Sequence, residues 1–493
     1  MEQGRTIRHG RKKIFTNATE ITDSNVVGVL NEALLVHDTN ANDVQYLWNY
    51  YRGSQPIESR QKEIRPEITN RIVENRANEI VSFKTGYLIG EPLQYVSRGE
   101  DVDIDAINQL NEYVFAEEKA TKDKELADWF HICGTSYRLI LPDEQGSEDE
   151  SPFEIYTLDP RRTFVVYQNS LEQEPVMGVT YVKDTNGSVI YSIYTKDRFF
   201  EVKDGSVTST DFHVLGDIPI IEYPLNYARL GAFEVVLPLL DAVNTVESNR
   251  MDAIEQFVQA ILLFHNVDID RDQYEELRRD GAIKIKDVDE RMKADVKYLT
   301  AELNQMQTQT LIDHMYQTIL TICGMPNRNG GSSTSDTGSA VIMRDGWEGA
   351  DARAKDAELM FKRSERRALR IMLNICNAYN RLDLKVSEIE IRFTRRNYEN
   401  ILQKAQVLTT LLNNDRIHPK LAFEHSGLFV DPDLAYAISA EYYNQEREQN
   451  HESDIGSDSD DPENAEKGES GGTIDRGRQD RNRGSETQIT NEN

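Results

Sequence analysis

Two long amphipathic helical patterns, separated by a charged segment, constrain the fold of this chain more than any other feature. Apolar residues advance by threes and fours from Val236 to Ile261, and again over about 301–323. The segment 266–300 between them is rich in charged residues and contains one short β-like run, residues 283–286. This order predicts a helical hairpin with a polar tip. Several polar residues of the first helix predict a face turned to water or to neighbouring subunits: Asn244, Glu247, Ser248, Asn249, Arg250 and Asp252.

Residues 324–339, directly after the second helix, are dominated by Gly, Ser, Thr and Asn. Such a composition cannot bury a core, which predicts a mobile loop. The Gly-x-x-x-x-Gly-Lys-Ser/Thr arrangement of nucleotide-binding loops is absent, so an ATP site is not expected. An ordinary flexible surface loop is one interpretation of this composition. Arg328 is the lone cation of the segment.

The pattern changes to short β-branched and aromatic runs between residues 136 and 223, which predicts an antiparallel β region. Asn186-Gly187 and Asp204-Gly205 are typical of tight hairpin turns. Helical patterns are also expected over 65–90, 105–132 and about 340–380, with a kink at Gly346-Trp347-Glu348-Gly349. A strand near Ile389 then precedes a last helical region, 397–448, which Asp431 should cap. The fold class is therefore α+β and mainly helical.

Length and charge limit the function. A chain of 493 residues is too long for one core, so several packed regions are expected. The formal net charge of −29 argues against a protein that wraps nucleic acid tightly, and any DNA contact should be weak and non-specific. The basic residues near the N-terminus are followed by no apolar run of signal-peptide or membrane-span length. Three isolated cysteines predict buried thiols rather than disulfides or a zinc site: Cys133, Cys323 and Cys376.

Acidic residues give one alternative to a structural protein. Asp101, Asp103 and Asp105, with Glu112, resemble a calcium loop, but the turn position is Ala106 rather than glycine. The competing interpretation is that these carboxylates cap a helix. A metal-dependent phosphodiesterase would need further ligands and a base. The nine histidines show no metal-ligand pairing with a catalytic glutamate, and Gly-x-Ser-x-Gly is absent. No catalytic residue, metal or cofactor is expected.

Several short phrases follow one another along the chain: Tyr50-Tyr51-Arg52-Gly53 with Gln55-Pro56-Ile57 after it, then Asn75, Ile80-Val81, Tyr87, Gly90 and Pro92. Their collinear order resembles the portal proteins of long-tailed phages of Gram-positive bacteria. The family's Tyr-Tyr-x-Gly and Asn…Ile-Val…Tyr-x-x-Gly-x-Pro phrases are matched by residues 50–53 and 75–92, with Asn75 displaced by one place. Its Gly-x-Ser/Ala-Tyr turn and Asp-Pro phrase resemble residues 134–137 and 158–160. Gly324-Met325-Pro326, followed by Thr337-Gly338-Ser339-Ala340, is similar to the two ends of the family's tunnel loop.

The resemblance implies a portal fold with four kinds of region. The wing would comprise 1–232, with its β region at 136–223, and 340–396, a long kinked helix and a strand. Stem helices would cover 233–265 and 301–323, and the crown would cover 397–450. The clip would be 266–300 and the tunnel loop 324–339. Residues 451–493 have almost no apolar side chains and predict a disordered tail, with docking to a scaffold or capsid protein as the alternative.

The resemblance also implies the function and the partners. The protein would form a homododecameric ring at one vertex of the virion capsid, assembled in the host cytoplasm, and double-stranded DNA would pass through it. Partners would be the large terminase subunit, the head-completion or adaptor protein, the major capsid protein and the scaffold protein, with no membrane. The residues expected to line the channel are Asn327, Arg328, Asn329, Ser332, Ser333 and Thr334. Those expected to dock partners are Arg271, Asp272, Glu275, Glu276, Arg278 and Arg279. The open alternatives are the metal-dependent nuclease and a helical scaffold-like virion protein.

Overall fold

The computed structural model describes most of the chain. The described residues are 10–63, 65–99, 102–143, 151–258, 261–265, 270–272, 275, 295–299, 305–327, 346–394, 401–429 and 431–455. They divide into two compact units, residues 1–407 and 408–493. The β-like run 283–286 and most of the tail lie outside the described residues.

The first unit contains seven α-helices in its described part. They are α1 Val26–Tyr51, α2 Arg76–Leu88, α3 Ile104–Ala116, α4 Lys119–Cys133, α5 Leu237–Val258, α6 Gln305–Cys323 and α7 Trp347–Ala378. Helix α8, Ile401–Leu412, crosses the boundary between the units. The second unit also has α9, Pro419–Ser426, and α10, Pro432–Ile455. The Asp431 side chain accepts a hydrogen bond from the Leu434 backbone, which confirms the expected cap.

Thirteen strands are described, all in the first unit. They are β1 Ile14–Thr16, β2 Gln94–Ser97, β3 Thr135–Pro142, β4 Phe153–Leu158, β5 Thr163–Gln168, β6 Pro175–Lys183, β7 Val189–Tyr194, β8 Arg198–Lys203, β9 Ser206–Phe212, β10 Ile220–Pro224, β11 Ile261–His265, β12 Asp295–Leu299 and β13 Ile389–Arg392. Strands β5 to β9 form an antiparallel meander, and β1 adds to its edge parallel to β5. Strands β10, β3 and β4 form a second antiparallel sheet, and the pairs β2–β13 and β11–β12 are also antiparallel.

The antiparallel β region is confirmed, and so are its turns. Gly187 has φ +83° in the β6–β7 connection. In the β8–β9 turn, Asp204 and Gly205 have φ +48° and +74°. Glycine, and to a lesser degree Asp, tolerates these left-handed angles, which is why the two dipeptides could be recognised as hairpin turns.

Three expected helices were wrong in extent. Residues 65–75 are not helical, and α2 begins only after Asn75, whose side chain accepts from the Asn78 backbone. The segment 105–132 is two helices, separated at Glu118 by a left-handed residue with φ +50°. Gly346 has φ +82° and interrupts the expected helix directly before α7, which begins at Trp347, while residues 340–345 lie outside the described residues. Helix α10 runs to Ile455, five residues into the segment expected to be a disordered tail.

Four clusters of buried apolar side chains stabilise the first unit. One packs α3, α4 and α7 around the second sheet, and another packs α1 on the meander. A third joins α1 and α2 to α5 and α6, and a small one lies between the two sheets. The three cysteines are buried free thiols, as expected, and burial raises the pKa of Cys133 and Cys376 to about 12.

Candidate stem, loop and clip

The two amphipathic helices pack side by side in opposite directions. The Arg250 guanidinium donates to the side chains of Gln305 and Gln309, while the Cys323 thiol, at the other end, contacts the Ala232 carbonyl. Their shared core contains Leu240, Val243, Ile312, Met315 and Ile319. At 1.5 Å per residue, each helix is about 30 Å long. The pair is therefore a rod whose two ends can carry different functions.

The polar face of α5 is covered by the chain itself. The backbone N–H groups of Asn70, Ile72 and Glu74 donate to the side chains of Asp252, Ser248 and Asn244 at 2.7, 3.0 and 2.8 Å. Alternate residues of an extended segment meet helix positions four apart. Asn244, Ser248 and Asp252 were expected to face water or neighbouring subunits. That expectation was wrong, because all three side chains are buried.

Asp252 concentrates most of the polar contacts on this face. It pairs with Arg60 at 2.9 Å and Lys62 at 3.1 Å, in addition to both nitrogens of Asn70. Burial alone would raise the pKa of Asp252, but the hydrogen bonds from Asn70 and Lys62 and the charge of Arg60 outweigh it and lower that pKa. The carboxylate therefore holds the segment 60–75 on the helix in its ionised form.

Asp252→Ala is expected to lower the free energy of unfolding by about 2 kcal/mol, since it removes charged hydrogen bonds to an otherwise polar segment. Because the pKa of Asp252 is lowered on folding, this contribution is present above the unfolded pKa, about 4, and is lost as the pH falls. Urea unfolding at neutral pH and near pH 3 measures both effects. Glu247→Ala is the control, since Glu247 makes only a 3.8 Å pair with Arg250. Equal losses in the two variants would contradict the assignment.

The residues of the family phrases lie at the same junction. The Gln55 side chain donates to the Tyr50 carbonyl and to Asn75 Oδ1, both at 3.2 Å, and accepts from Asn244. The Asn75 side chain also donates to the Tyr51 carbonyl at 2.9 Å. These side chains tie the ends of α1 and α2 to α5, which is a structural explanation for their place in the phrases.

The described residues on either side of the segment 328–345 lie beside α7 and α2. Gly324 ends α6 with φ +63°, and a Cβ there would lie 2.7 Å from Arg353 Cγ. Trp347 opens α7 with its ring 6.1 Å from Phe83 and 6.0 Å from Tyr87. Of the expected channel residues, Asn327 is described, while Arg328, Asn329, Ser332, Ser333 and Thr334 lie outside the described residues.

A cavity of about 330 Å³ lies beside these two anchor points, which sequence reasoning missed. Lys84, Cys323 and Arg353 contribute to its lining. Burial, reinforced by the charge of Arg353, lowers the pKa of Lys84. Neither cation forms an ion pair with any residue in the part of the chain that the structure describes.

Two antiparallel strands flank the segment expected to be the clip. Helix α5 ends at Val258, so the stem helix expected to reach residue 265 is shorter, and Ile261–His265 pairs with β12 instead. The register joins Ile261 to Leu299 and His265 to Asp295. Of the expected docking residues, Arg271, Asp272 and Glu275 are described and exposed, with Arg271 and Glu275 4.0 Å apart. Glu276, Arg278 and Arg279 lie outside the described residues.

One of the carboxylates considered for a metal site, Asp103, has a structural role. Asp103 caps α3, and its carboxylate accepts from the Asp105 and Ala106 backbones at 3.0 and 3.2 Å. Asp101 lies outside the described residues. Among the described residues, no three His, Cys, Asp or Glu side chains are grouped to hold a metal ion. His131 is buried, and burial, then the charge of Lys84, lowers its pKa to about 3. No described helix combines the length and apolarity needed to cross a bilayer.

One family model matches most of the chain. The family described as phage portal protein, SPP1 Gp6-like, matches residues 34–453. The portal protein of Bacillus phage SPP1 is 24% identical over 433 residues, 80% of this chain and 81% of that protein. A solved virion of a native gene transfer agent particle contains a similar chain at 13% identity and a TM-score of 0.45, covering 78% of this chain and 94% of that one. A chain in the neck of an empty gene transfer agent particle has 12% identity and a TM-score of 0.42, covering 71% and 90%.

Proposed function

The chain belongs to the phage portal protein family described as SPP1 Gp6-like, and from that premise we propose that it forms a ring of twelve copies at one capsid vertex. Double-stranded DNA enters the head through this ring during packaging, is retained there, and leaves through it. The observation that carries the proposal is the family match over 34–453, which includes both stem helices and everything between them. The antiparallel rod of α5 and α6 supports it, because such a rod can stand beside identical rods around a passage.

The two ends of the rod can carry different tasks in this proposal. The insert 266–300 follows the far end of α5, and the loop 324–339 follows the opposite end of the rod. We assign the insert to partner docking, through Arg271, Asp272, Glu275 and their neighbours, and the loop to the bore. The docking partners are the large terminase subunit and later the head-completion protein. The major capsid and scaffold proteins would contact the wing, and assembly would take place in the host cytoplasm.

Movement of DNA needs energy from a separate ATPase in this proposal. The chain lacks the glycine-lysine loop of common nucleotide sites. Its role is a non-enzymatic conduit with weak, non-specific DNA contacts, consistent with a net charge of −29.

The proposal is tested by class-averaged electron microscopy of the purified full chain, combined with native mass spectrometry. Ring-shaped particles with a central opening are expected. A duplex DNA incubated with the same preparation and Mg²⁺ or Mn²⁺ should remain intact. If the protein is monomeric and cleaves the duplex, it is a metal-dependent nuclease rather than a conduit. Helical assemblies without an opening would favour a scaffold-like protein.

Arg328→Glu is expected to leave ring formation intact and to impair DNA packaging, because it places an added ring of negative charge where DNA passes. The measurement is the yield of nuclease-protected DNA in an in vitro packaging reaction, with ring assembly scored by microscopy. Arg271→Glu, in the clip, is the matched charge reversal and should act on motor docking instead. Normal packaging with Arg328→Glu would count against a loop that faces the bore.

A further inference from the structure

Helix α7 carries a row of arginines on its exposed face. Arg363, Arg366 and Arg370 are exposed and follow one another by three and four residues, which places them on one side of the helix. The opposite side is buried and contains Ser364, Glu365, Ala368 and Leu369. We name Arg363, Arg366 and Arg370 the arginine stripe.

The arginine stripe is poorly neutralised. Arg363 and Arg366 form no ion pair with any described residue, and Arg370 lies 3.9 Å from Asp217, which already holds Arg367 at 2.7 Å. Two lysines of the same helix are paired, Lys355 with Asp351 and Lys362 with Glu358, each at 2.7 Å. Like charges three and four residues apart destabilise a helix by a few tenths of a kcal/mol each. In a chain of net charge −29, this local positive surface needs an external explanation.

The basic N-terminal segment reaches the same surface. Burial lowers the pKa of Lys13, and the charges of Arg229 and Arg363 lower it further, while Glu222 and Glu174 act in the opposite direction. The Lys13 ammonium lies 3.9 Å from the centre of the Tyr167 ring and donates to Gln173, so it is held in place. Arg229 is bound to the buried Glu222. The Tyr167 hydroxyl donates to Glu222, and the Glu222 carbonyl accepts from Ser364, the neighbour of Arg363, at 2.7 Å. These contacts place Lys13 near the Arg363 end of the arginine stripe, as a fourth cation from a distant part of the sequence.

We propose that the arginine stripe, together with Lys13, binds the phosphodiester backbone of double-stranded DNA at a site separate from loop 324–339. Seven helical residues advance about 10 Å, and one DNA strand presents a phosphate every 3.4 Å or so along the axis, so the row faces about three phosphates. The planar guanidinium fits a phosphate with two parallel hydrogen bonds. An acidic peptide is the other anionic partner, but it would not require an evenly spaced row. That the bound DNA is the packaged genome rests on the proposed function, whereas binding of duplex DNA to the arginine stripe does not.

The test is fluorescence anisotropy of the full chain with a labelled duplex across about 50 to 200 mM salt. Each neutralised phosphate contributes about −0.9 to the slope of log affinity against log salt, so four cations predict a slope near −3.6. The variant R363Q/R366Q/R370Q should lose at least tenfold in affinity at the lowest salt and flatten the slope by about 2.7. K13Q should flatten it by about 0.9.

The matched control is K124Q/K183Q/K196Q, which removes the same charge from three exposed lysines outside the arginine stripe. It should bind like the wild type, and thermal unfolding should be alike for all variants. The site is overturned if the wild type does not bind the duplex, if the stripe variant binds as well as the wild type, or if the control loses as much. If the stripe variant still binds the duplex but no longer binds a polyglutamate peptide, the surface would be assigned to an acidic protein instead. Ring formation, scored by microscopy on the same samples, is independent of all these outcomes.

Discussion

Replacing Glu365 by alanine is expected to lower the free energy of unfolding by about 3 to 5 kcal/mol, the usual effect of removing one partner from a buried ion pair. Glu365 lies on α7 and is fully buried. Its carboxylate accepts from Arg138 Nη1 and Lys119 Nζ at 2.9 Å each. Without it, Asp123 is the one carboxylate among the described residues that pairs with these two buried cations. Urea unfolding of the purified variant measures the loss.

The same group predicts how stability depends on acid. Burial alone would raise the pKa of Glu365, but the charges of Lys119 and Arg138, and hydrogen bonds from the hydroxyls of Tyr223 and Tyr95, lower it from 4.5 to about 2. A carboxyl whose pKa is lowered on folding stabilises the protein fully above its unfolded pKa and loses that contribution as the pH falls. Stability should therefore decline between about pH 5 and pH 2 in the wild type, and less steeply in Glu365→Gln.

Glu358→Ala is the matched control on the same helix. Glu358 pairs with Lys362 at 2.7 Å, but both side chains retain contact with solvent. A pair of this kind contributes at most about 1 kcal/mol. If Glu365→Ala proved as mild as Glu358→Ala, the buried network would not be what joins α7 to α4 and β3.

Local rules predicted those parts of the fold whose evidence lies within a few residues. The hairpins at Asn186-Gly187 and Asp204-Gly205 were found because their turns need left-handed residues. Strand β13 was found from its run of β-branched residues, and the cap of α10 from Asp431 directly before the helical pattern. The break at Glu118 and the helix start after Gly346 were not found, because apolar spacing continues across both positions while the backbone changes conformation.

Long-range contacts account for the remaining errors. Asn244, Ser248 and Asp252 are polar and four residues apart, a pattern that suits an exposed face equally well as a buried one. Their partners, Glu74, Ile72 and Asn70, lie more than 160 residues away in sequence. A periodicity read along one helix carries no information about such a partner. The end of α5 was misplaced for a related reason, since Ile261–His265 is apolar enough for a helix but pairs with β12.

The candidate site was predictable as an order of regions and not as a set of contacts. Sequence order identified the helices α5 and α6 and the charged insert between them, because composition changes sharply at each boundary. Most of the expected loop 324–339 lies outside the described residues. The cavity lined by Lys84 and Arg353 and the arginine stripe beside Lys13 were not found, because each combines residues from distant segments. The stripe itself could have been noticed, since Arg363, Arg366 and Arg370 are spaced for one helical face.

The double variant Ile254→Asp/Met306→Asp is expected to abolish ring assembly while leaving the single subunit folded. Ile254 on α5 and Met306 on α6 are 41% and 81% exposed, although both belong to the proposed stem. Rods standing side by side would bury such residues, at about 1.5 to 3 kcal/mol for a full side chain. An unpaired carboxylate at the same place costs several kcal/mol more. Since every 1.4 kcal/mol is tenfold in affinity, subunit association should weaken by more than about 100-fold.

Native mass spectrometry and sedimentation of the double variant would measure this loss, with circular dichroism to verify the fold. Leu171→Asp is the matched control, because Leu171 is fully exposed in the turn between β5 and β6 and belongs to neither α5 nor α6. Met306→Leu should retain assembly, since it keeps the apolar surface and nearly the same volume. Rings from the double variant at wild-type concentration would mean that α5 and α6 do not contact neighbouring copies. The exposed apolar residues of α5 and α6 would then need another partner, because exposed apolar patches of this kind mark interaction sites.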